Sequence, residues 1–190
     1  MLQPSRKGPT PLPTCPRARW TRKRMRLQSE QPTGSCVGPP QTLWRAFFMS
    51  EIRISADKVR AYRATDYRLG HTTQDIVLAP GLRSSRLAAL YASKGVTCGA
   101  FLTAFNPLGT QKSDTENDQA HAQLAKVLTD FGLEFIEGSG SEEGTHWPAE
   151  KSLFALGLSR EGAISTGRQF DQDAIVWVGD SAVPELVLLR

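Results

Sequence analysis

Val96-Thr-Cys-Gly-Ala-Phe-Leu-Thr-Ala-Phe105 is an almost unbroken apolar run of strand length near the middle of the chain. A strand without polar alternation suits the inside of a sheet that is covered on both faces. Asn106-Pro107 ends the run, because proline has no N–H to give to a strand ladder. The run therefore predicts a central strand, around which the other elements pack.

A capping box follows this strand at Ser113-Asp-Thr-Glu116. Its serine hydroxyl and glutamate carboxylate each satisfy a free N–H group at the start of a helix. Apolar residues then recur with helical spacing on one stripe, at Ala120, Leu124, Val127, Leu128 and Phe131. This pattern predicts a helix that runs to about Asp130 and is stopped by Gly132.

The remaining segments complete the order β-β-α-β-α-β-β-α-β-β. We expect further strands at 61–69, 75–79, 133–137, 152–158, 173–178 and 185–189, and further helices at 84–94 and 159–170. A short helix can open the domain at 55–62, and the Gly- and Ser-rich residues 138–144 predict a loop. Helices alternate only partly with strands. The prediction is therefore an α+β domain with three helices packed on a mixed sheet of about six or seven strands.

Residues 1–48 differ sharply from the rest of the chain. They hold eight of the twelve prolines, nine Lys or Arg and one acidic residue, whereas residues 49–190 hold fourteen Lys or Arg and eighteen Asp or Glu. Their apolar residues have neither helical nor strand spacing, so they offer no face whose burial offsets the entropy of ordering. We expect 1–48 to be disordered and 49–190 to form a single domain.

A mis-called translation start is the favoured origin of that segment, because Met49-Ser-Glu-Ile-Arg-Ile resembles an ordinary protein start. A disordered tail without a specific role and a functional basic arm are the alternatives. The run Arg17-Ala-Arg-Trp-Thr-Arg-Lys-Arg-Met-Arg26 suits nucleic acid, since its cations displace counterions and Trp20 can stack on a base. Nucleic acid is therefore an expected partner only if residues 1–48 are real.

Several classes of site and location are disfavoured by the sequence. No run of about 18 apolar residues is present, so we expect no membrane span. Cys98 is the only cysteine in 49–190, which indicates a buried thiol in a reducing, cytoplasmic setting. The histidines at 71, 121 and 146 lack metal-ligand spacing, and neither 109–113 nor 138–144 has the glycines of a nucleotide-binding loop. We expect no cofactor and no metal.

Six polar residues stand at predicted strand ends or special turns, and we take them as candidate ligand-binding residues: Thr103, Asn106, Asn117, Glu150, Ser152 and Gln172. In open α/β sheets, ligands bind just beyond the carboxyl ends of strands, which is where Asn106 falls. Free N–H groups in the first turn of a helix favour anions, which is the position of Asn117. Taken singly, each residue also suits a structural role in a turn or a cap. Glu150 is the only plausible general base, and so the only catalytic candidate.

Four motifs in the chain resemble the signatures of a small bacterial family known as domain of unknown function 3293. They are Ala61-Tyr-Arg-Ala-Thr-Asp-Tyr67, Ala100-Phe-Leu-Thr-Ala-Phe-Asn-Pro107, Trp147-Pro-Ala-Glu-Lys-Ser-Leu153 and Phe170-Asp-Gln-Asp-Ala-Ile-Val-Trp177. The resemblance spans 58–189 and implies a short cytosolic bacterial protein. It brings no established activity, cofactor or catalytic residue. This chain has Gln172-Asp173 where the family often has Gln-Asn, and Phe105-Asn-Pro where it has Trp-Asn-Pro.

Three functions remain open at this stage, and the sequence does not decide whether the protein is an enzyme. The first is binding of a small polar molecule in a cleft near Asn106. The second is a non-catalytic interaction or regulatory protein, in which Trp177 and residues 186–189 lie at a sheet edge and pair with a partner chain. The third is nucleic-acid binding through the basic amino-terminal arm.

Overall fold

The computed structural model describes residues 54–70, 75–141 and 147–190, and these form four α-helices and seven strands. The predicted disordered segment 1–48 lies outside the described residues. In chain order the elements are α1 (Ala56–Ala64), β1 (Asp66–Leu69), β2 (Ile76–Leu78), α2 (Ser85–Lys94), β3 (Gly99–Thr103), α3 (Asp114–Asp130), β4 (Phe135–Ser141), β5 (Glu150–Leu156), α4 (Arg160–Gln169), β6 (Ala174–Val178) and β7 (Pro184–Leu188), with a 3₁₀ turn at Pro107–Gly109. In the described part of the chain, no helix is long and apolar enough to cross a membrane.

The seven strands form one sheet in the order β2-β1-β4-β5-β3-β6-β7. This confirms an α+β fold with about seven strands, and it places β3 inside the sheet as its apolar run predicts. Every ladder is antiparallel, whereas we expected a mixed sheet. The helices explain the difference: α3 joins β3 to β4 with β5 lying between them, and α4 joins β5 to β6 with β3 lying between them. Each crossover thus connects strands that run in the same direction but are not neighbours.

The helices begin and end at recognisable caps, among them the predicted capping box. Ser84, Ser113 and Ser159 each accept a backbone hydrogen bond at the start of a helix, and the capping box between Ser113 and Glu116 is complete. Gly95 ends α2 in the left-handed conformation, at φ 66°, where a residue without a Cβ is least strained. The local pattern around these residues was therefore sufficient to place three of the helices.

The opening helix is longer than its pattern suggested. We expected a strand from residue 61, but α1 continues to Ala64 and β1 begins at Asp66. The Ser55 side chain caps the start of α1, while both the backbone N–H and the hydroxyl of Thr65 donate to the carbonyl of Ala61 at its end. The expected strand therefore loses its first four residues to the helix and its fifth, Thr65, to the cap of that helix.

Residues 138–141 of the glycine-rich stretch belong to β4, where we expected a loop, and residues 142–144 lie outside the described residues. Glycine and serine are depleted in strands, which is why the composition favoured a loop. A Cβ on Gly138 would overlap the carbonyl oxygen of Arg68 and lie 3.1 Å from the ring of Phe101. Only glycine lets β1 and Phe101 approach β4 this closely.

The two faces of the sheet carry separate apolar cores. One core lies under α3 and α4 and includes Leu102, Leu124 and Leu153; the other lies under α2 and includes Phe101 and Phe154. Trp177, which we considered as an edge residue, lies on β6, packs against the first core and donates from Nε1 to the carbonyl oxygen of Leu158 at 3.2 Å. The face that carries Phe101 is the one on which a cavity opens.

Candidate functional site

The cavity lies where polar residues replace apolar ones along this face. Alternation along β3 puts Thr103 on the same face as Phe101. The ladders then align Thr103 with Ser152, Ser152 with Gly138, and Gly138 with Leu69. The next row outward aligns Glu150 with Gly140 and Gly140 with Tyr67. The polar positions that the sequence singled out on β3 and β5 therefore belong to one patch of the sheet.

Helix α1 forms the opposite wall of a cavity of about 270 Å³. The residues that α1 and its C-cap contribute to the lining are spaced i, i+3, i+4 and i+7, and therefore lie on one face of the helix: Lys58, Ala61, Tyr62 and Thr65. Because the first and last residues of this stripe are polar, the apolar spacing of the sequence does not reveal it. The volume is close to the low end of known ligand pockets, which run from about 300 to 1,000 Å³.

The space beside Glu150 exists because its cross-strand partner has no side chain. Gly140 lies directly opposite Glu150 in the β4–β5 ladder. A Cβ built on Gly140 would have a single neighbour within 4 Å, the Cγ2 atom of Thr65 at 3.6 Å. Gly138, two residues earlier, has no such room. The chain therefore leaves a void at 140 that a larger side chain would occupy.

Glu150 is the central acidic group of the cavity. Its Oε1 atom accepts hydrogen bonds from Asn106 Nδ2 at 2.7 Å and from Trp147 Nε1 at 3.0 Å. Burial raises the pKa of the Glu150 carboxyl, and the hydrogen bonds from Asn106 and Trp147 lower it by less. A raised pKa suits a group that binds or moves a proton near neutral pH. The catalytic role of Glu150 stays a prediction.

Asn106, whose side chain donates to Glu150, lies in a turn that its own hydrogen bonds hold in place. It has left-handed backbone geometry at φ 48°, which asparagine tolerates better than most residues, and its side chain is 5% exposed. Its Oδ1 accepts from Lys112 N at 3.0 Å and from Asn117 Nδ2 at 3.1 Å. Its own N–H donates to Asn117 Oδ1 at 2.9 Å. This reciprocal pair of amides fixes the direction in which Asn106 Nδ2 points.

Five of the six predicted site residues line the cavity, and Asn117 is the one that does not. Asn117 braces Asn106 from behind. Thr103 and Ser152 hold strand ends, since Thr103 Oγ1 donates to the carbonyl of Lys151 at 2.9 Å and Ser152 Oγ to that of Glu150 at 3.2 Å. Gln172 Nε2 donates to the carbonyls of Phe105 and Phe170, each at 3.1 Å. Five of the six candidates thus lie around one cavity, and their role in ligand binding stays a prediction.

Sequence reasoning missed a second carboxylate, Asp173, which is 7% exposed. Its Oδ2 accepts from Lys58 Nζ at 2.8 Å and Tyr62 OH at 3.0 Å, while Arg190 contacts Oδ1 at 2.7 Å. Burial raises the pKa of Asp173, but the hydrogen bonds from Lys58 and Tyr62 outweigh it and the pKa is lowered. Burial, and next the charge of Asp173, raise the pKa of Tyr62, so the phenol keeps its proton. The sequence signal was weak, because Asp173 appeared only as the first residue of a strand and as an acid where the family often has asparagine.

The two carboxylates differ in chemistry. Asp173 is held ionised by cations and a phenol, whereas Glu150 is half-buried beside neutral donors. Aromatic side chains complete the walls: Tyr62, Tyr67, Phe101, Phe105 and Trp147. Among the residues that the structure describes, no group of three or more His, Cys, Asp or Glu is placed to hold a metal ion. The arrangement suits a small polar molecule that also has an apolar part.

Comparisons with known proteins add a family but no activity. No curated protein and no solved structure matches the chain. A family model described as protein of unknown function (DUF3293) matches residues 102–175, a narrower span than the 58–189 over which we saw a resemblance. The match contains Asn106, Glu150 and Gln172 but not helix α1. The match supports a DUF3293 domain over residues 102–175, in agreement with the family that the sequence motifs resemble.

Proposed function

We propose that the domain binds a small polar molecule in the cavity between α1 and the sheet, with Glu150 as its main recognition group. The observation that carries the proposal is the pairing of Glu150 with Gly140, which leaves a partly desolvated carboxyl group facing the cavity. A charged group removed from water destabilises a protein unless something compensates it. A bound molecule is the compensation that this geometry suits.

The rigidity of the surrounding network supports the same proposal. Asn106 is held by Asn117 and Lys112, and Gln172 is held by two carbonyl groups. These contacts fix the polar groups of the cavity in place before any ligand arrives. Binding then costs little ordering entropy, which is the advantage of a preformed site.

An interaction protein is the second candidate, because β7 lies at an edge of the sheet and Leu188 is 44% exposed. Features that protect edges from strand pairing are also present. The strand starts with Pro184, carries a charge at Glu185, and has its first carbonyl occupied by the N–H of Gly81 at 2.8 Å. These features weigh against strand addition, so we rank the cavity first.

A ligand screen on wild type and the Gly140→Leu variant tests the proposal. A Cβ at 140 has room, and the rest of a leucine side chain there is expected to occupy the space beside Glu150. We expect ligand-observed NMR to find small molecules that bind wild type and not Gly140→Leu. Asp130→Asn, on the exposed end of α3, is the control and should bind like wild type. A screen in which no molecule distinguishes Gly140→Leu from wild type would overturn the proposal.

A further inference from the structure

The charges around the cavity are unequally compensated. Asp173 has a cation on each oxygen, Lys58 on Oδ2 and Arg190 on Oδ1. Glu150 receives only the neutral N–H groups of Asn106 and Trp147, both on Oε1. In the described part of the chain no Lys, Arg or His forms an ion pair with Glu150, and no hydrogen bond reaches its Oε2 atom. The cavity therefore holds a carboxyl group whose natural partner, a cation, is supplied by neither wall.

The cationic residue in the cavity lining is already paired. Lys58 lines the cavity, but its Nζ atom lies 2.8 Å from Asp173 Oδ2 and its side chain is 43% exposed. Gly109 has no side chain at the point where Lys58 Nζ passes, so the turn at 107–109 leaves room for this ion pair. The charge of Lys58 is thus balanced by Asp173 and screened by solvent. It does not neutralise Glu150 and is poorly placed to recruit an anion.

The walls of the cavity favour a cation with an apolar body. Aromatic rings attract positive charge through their faces and bind apolar groups through their area. Tyr67 and Phe101 lie side by side, with ring centroids 5.2 Å apart in an edge-to-face pair. Trp147 reaches the same carboxyl group from the loop before β5. A carboxylate combined with several aromatic walls is a suitable environment for an organic amine.

We infer that the molecule bound by this domain is an organic amine, with its ammonium group on Glu150 Oε2 and its apolar body against Tyr67 and Phe101. The inference rests on the proposed function and specifies its ligand class. It follows from the missing cation at Glu150, the free space opposite it at Gly140, and the aromatic lining. An ion pair formed in this partly desolvated place is stronger than one on the surface.

Three molecules of nearly the same shape but different charge test the inference on the full chain. They are 2-phenylethylamine, which is cationic, 2-phenylethanol, which is neutral, and phenylacetate, which is anionic. At pH 7.5 we expect the amine to bind wild type at least about tenfold more tightly than the alcohol, with phenylacetate weakest. Titration calorimetry or NMR shift titration measures the three dissociation constants. This comparison needs no variant.

Variants then test whether the ammonium group of the amine binds at Glu150. Glu150→Gln should weaken the amine about tenfold and leave the alcohol within about twofold, because only the ion pair is lost. Asp130→Asn removes one negative charge far from the cavity and should change neither constant. If Glu150→Gln and wild type bind the amine equally, the ammonium is not at Glu150 and the inference is wrong.

The outcomes separate this inference from the proposed function. If the alcohol or phenylacetate binds as well as the amine and Gly140→Leu abolishes that binding, the cavity is a site but not one for amines. If none of the three binds, the inference is wrong and the ligand screen alone decides the cavity proposal. If one of them binds and Gly140→Leu does not weaken it, the molecule binds elsewhere and both are overturned. An amine preference that requires both Gly140 and Glu150 supports both.

Discussion

Gly140 and Glu150 are direct partners in the antiparallel ladder between β4 and β5. In most such pairs the two side chains contact each other and stabilise the sheet. Here Gly140 has no side chain, so the carboxyl group of Glu150 borders a cavity that α1 closes from the other side. Two residues later on β5 and two earlier on β4, Gly138 faces Ser152 with no free space, because β1 and Phe101 occupy it. The void is therefore local to one pair of the ladder.

The two glycines of β4 should respond in opposite ways to alanine. Gly140→Ala should raise the free energy of unfolding by about 0.5–1 kcal/mol, because alanine loses less entropy on folding and its Cβ has room. Gly138→Ala should lower it by about 1–3 kcal/mol, because its Cβ overlaps the carbonyl of Arg68. Urea unfolding of both variants gives the comparison. A stabilised Gly138→Ala would contradict the close approach of β1.

The amide pair Asn106–Asn117 should act as a unit. Each single alanine variant leaves buried polar groups without partners, so we expect losses of about 1–3 kcal/mol for each. The double variant should lose less than the sum, with a coupling of about 0.5–3 kcal/mol. A double-mutant cycle from urea unfolding measures this coupling. Additive losses would mean that the two side chains support the turn independently.

Asp173 should stabilise the protein at neutral pH and lose this effect in acid. Its pKa is lowered in the folded state, so the unfolded chain takes up a proton first as the pH falls. The difference in unfolding free energy between wild type and Asp173→Asn should be constant above about pH 5. It should shrink as the pH falls through the ordinary aspartate pKa of about 3.9 and then through the lower folded value. Urea unfolding of both proteins between pH 2.5 and 7 tests this window.

The contribution of Glu150 to the unfolding free energy should change with pH in the opposite direction. Its pKa is raised by burial, so the folded state holds the proton more tightly than the unfolded chain does. The stability of wild type relative to Glu150→Gln should therefore be greatest below the ordinary glutamate pKa of about 4.3 and fall as the pH rises through the raised folded value. The same urea series on Glu150→Gln measures it. A difference that grows with rising pH would contradict a desolvated Glu150.

Leu108 should be replaceable by glycine with a gain in stability. It has φ 60°, in the left-handed region, and its side chain is 49% exposed, so little packing is lost on removal. Relief of this strain should add about 1 kcal/mol to the unfolding free energy. Leu82 is more exposed, at 68%, and is absent from the positive-φ residues, so Leu82→Gly is the control and should be neutral or destabilising. Thermal unfolding of the pair decides between strain and a general effect of glycine.

Local sequence patterns predicted the elements whose signals are self-contained. The apolar run at 96–105 gave the inner strand β3, and the capping box at Ser113 together with the Leu124–Leu128 stripe gave α3. These signals lie within one element, so no distant contact was needed to interpret them. The α+β class and the seven-stranded sheet followed from the same kind of pattern.

The elements that were misjudged depend on contacts between distant residues. Gly138 lies in a strand that pairs with β1 and packs against Phe101, and its neighbours in sequence do not reveal these contacts. Helix α1 presents Lys58 and Tyr62 to Asp173, more than a hundred residues away, so its functional stripe is partly polar. The site residues on β3 and β5 were predictable from polar interruptions of apolar strands. Asp173 and Lys58 required the fold.

The interleaved strand order has a consequence for how this protein is made. Thr103 of β3 meets Ser152 on one side, while Phe101 meets Val176 on the other, so the inner strand gains its partners 49 and 75 residues later. During synthesis β3 has no strand partner until β5 and then β6 have been made. Long-range pairing of this kind is slow. Its apolar surface is meanwhile open to chaperones or to aggregation. We expect nascent chains that stop before Asp173 to remain bound to chaperones, which pulldown of stalled chains measures.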